Sequence, residues 1–227
     1  MPFPGISERV NEVRERISDA VRRGGHGQSV QIVAVTKTYG PESASAVWKT
    51  GIALVGENRV QEALEKMDRV DVPVQWHLIG HLQRNKVKHL DRFAMFQALD
   101  SERLAEAIGE RFEAEGHRMS VLVQVNTSGE DTKGGFSPEE LRRFAPRLAA
   151  IRGLDLRGTM TMAPYEAPEK VLRETFARCR DAAGVLREAG FEARELSMGM
   201  SGDFEIAVEE GATMVRLGTI LFGERKP

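Results

Sequence analysis

The sequence predicts an α/β protein folded as a single (β/α)8 barrel, with one extra helix before the first strand. Short apolar, β-branched runs alternate with segments whose apolar residues recur every three or four positions, the patterns of strands and helices. We count about eight such pairs, the number that closes a barrel. No Pro- or Gly-rich linker divides the 227 residues, so we expect one domain over 1–227. A doubly wound open sheet is the alternative, and eight units in so short a chain favour closure.

The extra helix opens the chain. Its apolar residues lie three or four apart, and the helix is expected to end near Gly24 and Gly25. A strand from Gln31 to Lys37 follows, and then a helix with Pro41 at its first position and Gly51 as its stop. The seven later strands are predicted in the segments IALVGE, QWHLIG, FAMFQAL, RMSVLVQVN, LDLRGTMTM, ARELSMG and ATMVRLG.

A helical segment follows each of these strands. The one after QWHLIG is basic, HLQRNKVKHLD, and the one after RMSVLVQVN starts at Ser137 with capping-box spacing to Glu140. Strands that alternate with helices in this way pair in parallel.

Composition excludes several classes of function. The apolar fraction is 41%, the charged fraction 29% and the net charge −2, without a basic or acidic tail, so we expect neither nucleic-acid nor membrane-surface binding. A single cysteine, Cys179, cannot form an intramolecular disulfide and is expected to lie buried in a helix. We see no signal peptide or membrane span and expect a cytoplasmic protein.

Lys37 ends the first predicted strand, and the active face of such a barrel lies at the C-terminal ends of its strands. A lysine is seldom buried without a partner or a chemical task. Taken alone, it is equally well explained as a strand-end side chain that reaches solvent.

The loops after strands seven and eight favour a phosphate site. Ser201-Gly202 and Gly218-Thr219 each precede a helix, where backbone N–H groups and the helix dipole favour an anion. These two loops also form the recurring phosphate site of such barrels. Helix capping by Ser201 or Asp203 would explain one turn but not both.

Arg216 lies inside the eighth strand and needs a partner, either a barrel carboxylate such as Glu57 or a ligand. A reactive amine, a phosphate site and an interior arginine indicate a phosphorylated aldehyde. Pyridoxal 5'-phosphate (PLP) bound through Lys37 is one candidate, and a phosphosugar aldolase would use similar residues.

A family resemblance separates these two. The segments AVTKT, VGENRVQEA, WHLIGHLQRNK, VQVNTSGEDTKGG and LSMGMSGDFEIAVEEGATMVRLGTILFG resemble the signature blocks of the YggS/PROSC pyridoxal phosphate homeostasis proteins, in the same order. The likeness extends from about Val33 to Gly223. It implies a barrel of the alanine racemase N-terminal type (PLP fold type III) without a second β-domain.

The resemblance also implies residue roles. Lys37 would be the Schiff-base lysine, Arg216 would lie near the pyridine nitrogen, and Asn58 would lie near the cofactor. The phosphate contacts would be Ser201, Gly202, Gly218 and Thr219. An arginine beside the ring leaves its nitrogen unprotonated and the cofactor a weaker electron sink. Arg59 stands where many members carry an aromatic residue, and its role stays open.

The resemblance implies a binding role in vitamin B6 and amino-acid homeostasis, with apo PLP-dependent enzymes as possible recipients and no catalytic residue. A low-efficiency amino-acid racemase is the alternative, a Schiff-base aldolase another enzyme, and an interaction module without a reactive lysine the third reading. Tyr39 and Tyr165 follow predicted strands, and Tyr165 is a weak candidate for a catalytic acid. Without an opposing domain we expect a monomer.

Other signals are weaker. His77 and His81 are four apart but straddle a strand end, so a hydrogen-bonded His77 is favoured over a metal site. The basic run from Arg84 to Lys88 is expected to be a solvated face, and Lys133 a loop charge. Four methionines alternate along predicted strands and are expected to fill the barrel: Met160, Met162, Met198 and Met200.

Overall fold

The computed structural model describes residues 3–129 and 134–223. Its eight strands form one closed parallel barrel in sequence order, β1 pairing with both β2 and β8. The (β/α)8 fold class is therefore confirmed. The strands are β1 (Gln31–Val35), β2 (Leu54–Glu57), β3 (Gln75–Leu78), β4 (Met95–Leu99), β5 (Met119–Gln124), β6 (Leu154–Met160), β7 (Glu195–Ser197) and β8 (Met214–Leu217).

Helices surround the barrel and connect its strands. They are α1 (Ile6–Gly24), α2 (Glu42–Trp48), α3 (Val60–Met67), α4 (Glu102–Ala114), α5 (Pro138–Leu148), α6 (Glu169–Glu188), α7 (Phe204–Glu209) and α8 (Thr219–Phe222). In the described part of the chain, no helix has the length and apolar character needed to cross a membrane.

The extra N-terminal helix is present as predicted. α1 buries an apolar stripe of Ile6, Val10, Val13, Ile17 and Ala20. It ends at Gly25, whose φ of 70° is the left-handed conformation that glycine adopts without cost. The predicted capping box is also present: Glu140 N–H donates to Ser137 Oγ, and Ser137 N–H to the Glu140 carboxylate.

One predicted boundary was wrong: β1 ends at Val35, so Lys37 lies in a turn rather than in the strand. The basic segment after β3 is helical, as predicted, and forms a 3-10 helix over Arg84–Arg92. It buries only Val87 and Leu90, so too few apolar residues stabilise a regular amphipathic α-helix there.

Cys179 lies in α6 and is fully buried, as expected. Met160 and Met198 fill the interior as predicted, at 1% and 0% exposure. Met162 and Met200 do not: they are 37% and 36% exposed, because both lie beyond their strands, where the packed layers of the barrel end.

Candidate functional site

Lys37 lies at the C-terminal mouth of the barrel, two residues after β1. Its neighbour Thr36 directs its hydroxyl to Glu57, on the side of the helix layer. Lys37 is the next residue, in the turn that leaves the C-terminal end of β1, and it therefore lies at the rim of the mouth. The side chain is half-buried, and Nζ makes no hydrogen bond or ion pair with any described residue. The structure thus presents an amine that has no partner within residues 3–129 and 134–223.

Arg216 is buried below the mouth, 5% exposed, and three hydrogen bonds fix its guanidinium. Nη1 donates to the carbonyl and hydroxyl oxygens of Ser197, both at 2.7 Å, and Nη2 donates to the Thr161 carbonyl at 2.7 Å. Burial lowers the pKa of Arg216 to about 10, so it remains a cation at neutral pH. Nε and the second hydrogen of Nη2 donate to no described residue, which leaves two N–H groups for a ligand.

From Ser197 the hydrogen bonds continue across the barrel interior to His77. Ser197 Oγ donates to Gln97 Oε1 at 2.7 Å, and Gln97 Nε2 donates to His77 Nδ1 at 2.8 Å. His77 is 3% exposed, and burial lowers its pKa to about 4. A neutral ring that accepts at Nδ1 carries its hydrogen on Nε2. The prediction of a hydrogen-bonded His77 in the barrel is confirmed.

The suggested pairing of Arg216 with Glu57 was wrong. Glu57 is fully buried, and its carboxylate accepts from Lys66 Nζ at 2.6 Å and from Thr36 Oγ1 at 2.5 Å. The β2 strand directs Glu57 towards α3, which carries Lys66, whereas Arg216 faces the barrel interior. Neutral groups from β6 and β7 satisfy the arginine instead.

The loops after β7 and β8 meet at the same mouth. Ile220 N–H lies 3.4 Å from Ser201 Oγ, which joins the two loops. The backbone N–H groups of Gly202, Gly218 and Thr219 donate to no described residue, and open space surrounds the Gly202 Cα. These donors suit an anion, and the phosphate site at the two loops stays a prediction.

Helices follow both loops, as predicted, but their dipoles contribute little because α7 and α8 have only six and four residues. Individual N–H groups remain as the donors. The side chain of Asp203 does not cap α7. Its carboxylate accepts a hydrogen bond from Met200 N–H at 2.5 Å instead.

Gly199 allows the loop after β7 to pack closely against α7. Its φ is 92°, and a Cβ at this position would lie 2.7 Å from the Cβ of Ala207 and 2.9 Å from the Cα of Phe204. Only glycine combines this backbone conformation with such a close approach. The carbonyl of Gly199 accepts from the N–H of Arg216 at 3.0 Å, which fixes the loop to β8.

Strand pairing brings the predicted residues together although they are far apart in sequence. Val33 of β1 pairs with Arg216, and Val35 pairs with Gly56 of β2. Asn58 therefore follows β2 beside the Lys37 turn. It is half-buried, and its side-chain amide bonds to no described residue. Gly80 lies against its backbone, where a Cβ would come within 2.3 Å of the Asn58 carbonyl.

The two tyrosines lie in loops after strands, as predicted, but neither offers a free hydroxyl inside the mouth. Tyr165 is 87% exposed. Tyr39 donates to the Gly223 carbonyl at 3.2 Å, and its ring packs against Phe222 and Phe3 with centroids 4.7 and 5.6 Å away. This contact joins the Lys37 turn to the end of α8.

The remaining candidates contribute little to this site. Arg59 is exposed and pairs with Glu62 at 3.1 Å. His81 pairs with Asp100 at 2.7 Å and lies on the surface, and within residues 3–129 and 134–223 no group of His, Cys, Asp or Glu is arranged to hold a metal ion. Arg84 and Lys88 are exposed, as expected of a solvated face. Lys133 lies outside the described residues.

A cavity of about 630 Å³ opens at the opposite, N-terminal end of the barrel, between α1 and the starts of β1, β2 and β3. Arg14 and Gln28 lie on its walls. None of the candidate residues contacts it, so it is separate from the mouth.

Sequence reasoning missed four residues that hold the site: Lys66, Gln97, Ser197 and Thr161. Lys66 leaves a detectable signal, because it continues the buried stripe of Val60 and Ala63 at a spacing of three. The others are polar residues within or just after strands, and only the closed barrel shows that they meet.

Residues 9–226 match the sequence profile of the alanine racemase N-terminal domain family. A pyridoxal phosphate homeostasis protein of Aquifex aeolicus is 42% identical over 96% of this chain and 98% of its own length. Its namesake from Bos taurus is 35% identical over 97% of this chain and 88% of its own.

Solved structures agree. PipY of Synechococcus elongatus, determined with PLP bound, has a TM-score of 0.85 and 32% identity, covering 96% of this chain and 100% of its own. The alanine racemase of Corynebacterium glutamicum shares the fold alone, with a TM-score of 0.73 and 18% identity over 93% of this chain and 61% of its own.

Proposed function

Because the chain belongs to the pyridoxal phosphate homeostasis protein family within the alanine racemase N-terminal domain family, we propose that it binds PLP as a Schiff base on Lys37. The observation that carries the proposal is the unpartnered Lys37 amine at the mouth of the barrel. Uncharged amine adds to the aldehyde carbon, water leaves, and a C=N bond replaces C=O. PLP supplies an aldehyde and an electron-accepting ring when bound.

The phosphate end of the ligand would lie against the loops after β7 and β8. Gly202, Gly218 and Thr219 offer unpaired N–H groups there, and Ser201 and Thr219 add hydroxyls. Oriented backbone amides are suited to phosphate oxygens. Asn58 follows β2, the strand next to β1, and is proposed to contact the cofactor from beside the Lys37 turn.

Arg216 would orient the ring. Its guanidinium is fixed by three bonds to neutral groups, and the Nε hydrogen remains to donate. A permanent donor requires an acceptor, so the ring nitrogen facing it stays unprotonated. This weakens the electron sink that amino-acid chemistry needs, which supports a binding role over catalysis.

We further propose that the protein serves PLP and amino-acid homeostasis without a turnover reaction, as the names of its relatives suggest. Apo PLP-dependent enzymes are the proposed recipients of the cofactor. A cytoplasmic location and a monomeric state remain predictions from the sequence. A low-efficiency racemase is the second candidate, since the barrel is that of alanine racemase.

The first test is Lys37→Ala, with Arg59→Ala as an exposed control at the same mouth. The unmodified protein and the control should develop the visible absorption of a PLP imine and, after borohydride reduction, carry the pyridoxyl mass on the Lys37 peptide. Lys37→Ala should do neither. The proposal fails if the absorption persists in Lys37→Ala.

Racemisation assays with alanine and serine distinguish the two candidates. We expect no rate above that of free PLP. A reproducible rate that disappears in Lys37→Ala would establish the enzyme instead.

A further inference from the structure

Three residues behind the barrel wall form a closed set of hydrogen bonds, here called the Glu57 cluster: Thr36, Glu57 and Lys66. Glu57 is 0% exposed and Lys66 9%. Lys66 Nζ donates to Glu57 Oε1 at 2.6 Å and to the Thr36 carbonyl at 2.7 Å, and Thr36 Oγ1 donates to the same Oε1 at 2.5 Å. Every bond ends on Thr36 or on its immediate partner, and Thr36 is the residue before Lys37.

Stability alone gives little reason for such a cluster. Moving two charges out of water costs several kcal/mol per ion, and apolar residues of similar volume often stabilise a fold equally well or better. Glu57 Oε2 is moreover buried without any hydrogen-bond partner, which adds to the cost. The interior that surrounds the cluster is otherwise mainly apolar, including Val55, Val60 and Ala63.

The turn that carries Lys37 needs support from outside. Tyr39 N–H donates to the Thr36 carbonyl at 3.0 Å and closes the turn around Lys37 and Thr38. Thr38 has a φ of 69°, a left-handed conformation that a β-branched residue adopts only under constraint. Lys66 Nζ binds the same carbonyl, so the cluster holds one end of a strained turn.

We propose that the Glu57 cluster is a positioning device that keeps this turn in the shape that directs the Lys37 amine into the mouth. Thr36, Glu57 and Lys66 act from the helix side of the sheet and contact no ligand. The inference rests on the proposed function, because it concerns the lysine that would bind PLP.

The test separates covalent capture from ligand binding. Pyridoxine 5'-phosphate has the ring and phosphate of PLP but an alcohol in place of the aldehyde, so it cannot form an imine. Lys66→Met removes the ammonium and keeps the apolar stem. The double variant Glu57→Met, Lys66→Met removes both charges. It is used if Lys66→Met alone does not fold, because that variant leaves the Glu57 carboxylate buried without a counter-charge.

We expect the double variant to bind pyridoxine 5'-phosphate within about twofold of the unmodified protein, while PLP imine forms at least about tenfold more slowly or less completely. Phe112→Leu creates a cavity beside α4, away from β1 and β2, and controls for a general loss of stability. It should leave the binding of both ligands unchanged. Adding Thr38→Gly should restore imine formation in part, because glycine adopts the left-handed conformation without constraint.

Three results would overturn the inference. The first is imine formation within twofold of the unmodified protein in the double variant, the second is equal weakening of both ligands, and the third is no recovery with Thr38→Gly. Failure of the proposed function looks different, since the unmodified protein would then form no imine with PLP.

Discussion

Two basic side chains near the barrel mouth are held in opposite ways. Arg216, in β8, is buried and donates three hydrogen bonds at 2.7 Å to Ser197 and Thr161. Lys37, after β1, is half-buried and bonds to nothing among the described residues. A group that recognises a ligand gains from being fixed before binding, whereas a nucleophile must keep its lone pair accessible. Under the proposed function, β8 supplies the group that recognises the ligand, and the neighbouring β1 leads to the group that reacts with it.

The largest difference in stability should come from making the same substitution at Arg216 and at Lys37. Arg216→Met deprives two buried carbonyls of their donor, so we expect the free energy of unfolding to fall by about 2–5 kcal/mol. Lys37→Met removes no interaction, and the change should stay within about 0.5 kcal/mol. Urea denaturation of both variants measures the contrast, and equal losses would contradict it.

The pH dependence of stability sharpens the description of the Arg216 side. Burial holds the pKa of His77 at about 4, below its ordinary value of 6.5. Between these two values the unfolded chain binds a proton at His77 and the folded chain does not. The stabilisation is complete above pH 6.5 and is lost as the pH falls towards 4. Between pH 7 and 5 it should amount to about 2 kcal/mol.

His77→Gln keeps an acceptor for Gln97 without a titrating ring. Its unfolding free energy, measured at pH 7 and 5, should fall less than that of the unmodified protein by about this amount. Identical pH profiles would show that His77 is not buried in its neutral form.

The smallest effect is expected at Ser197, the hydroxyl between Arg216 and Gln97. Ser197→Ala leaves both carbonyl bonds of Arg216 intact, so about 1 kcal/mol of stability should be lost, with a several-fold weaker affinity for PLP. Ser120→Ala is the matched control, since Ser120 Oγ donates to Asp155 at 2.9 Å away from the mouth. An unchanged affinity for PLP in Ser197→Ala would show that the hydrogen bonds between Arg216, Ser197 and Gln97 do not contribute to ligand binding.

The barrel was predictable because its signal is repeated. Eight apolar runs followed by amphipathic segments fix the order of strands and helices, and parallel pairing then brings Lys37, Arg216 and the Gly218 loop to one end. The placement of these residues needed no knowledge of side-chain contacts.

The partners of the charged groups were not predictable. Glu57 looked like a partner for Arg216, but the direction of a side chain from its strand depends on the register of pairing, and a shift by one residue reverses it. The spacing of Lys66 indicates the buried face of α3, but it does not show which carboxylate the ammonium meets. The end of β1 was placed two residues late, because Thr36 and Lys37 continue the extended pattern that Thr38 interrupts by its positive φ.

Closure of the barrel between its first and last strands has a consequence for synthesis. Lys37 and Arg216 are roughly 180 positions apart. At about 5–20 residues per second, a ribosome takes on the order of 10–40 s to proceed from one to the other. Until that point the chain lacks Arg216 and the loop that follows β8. Under the proposed function, we therefore expect stable binding of PLP only after the eighth strand has left the exit tunnel.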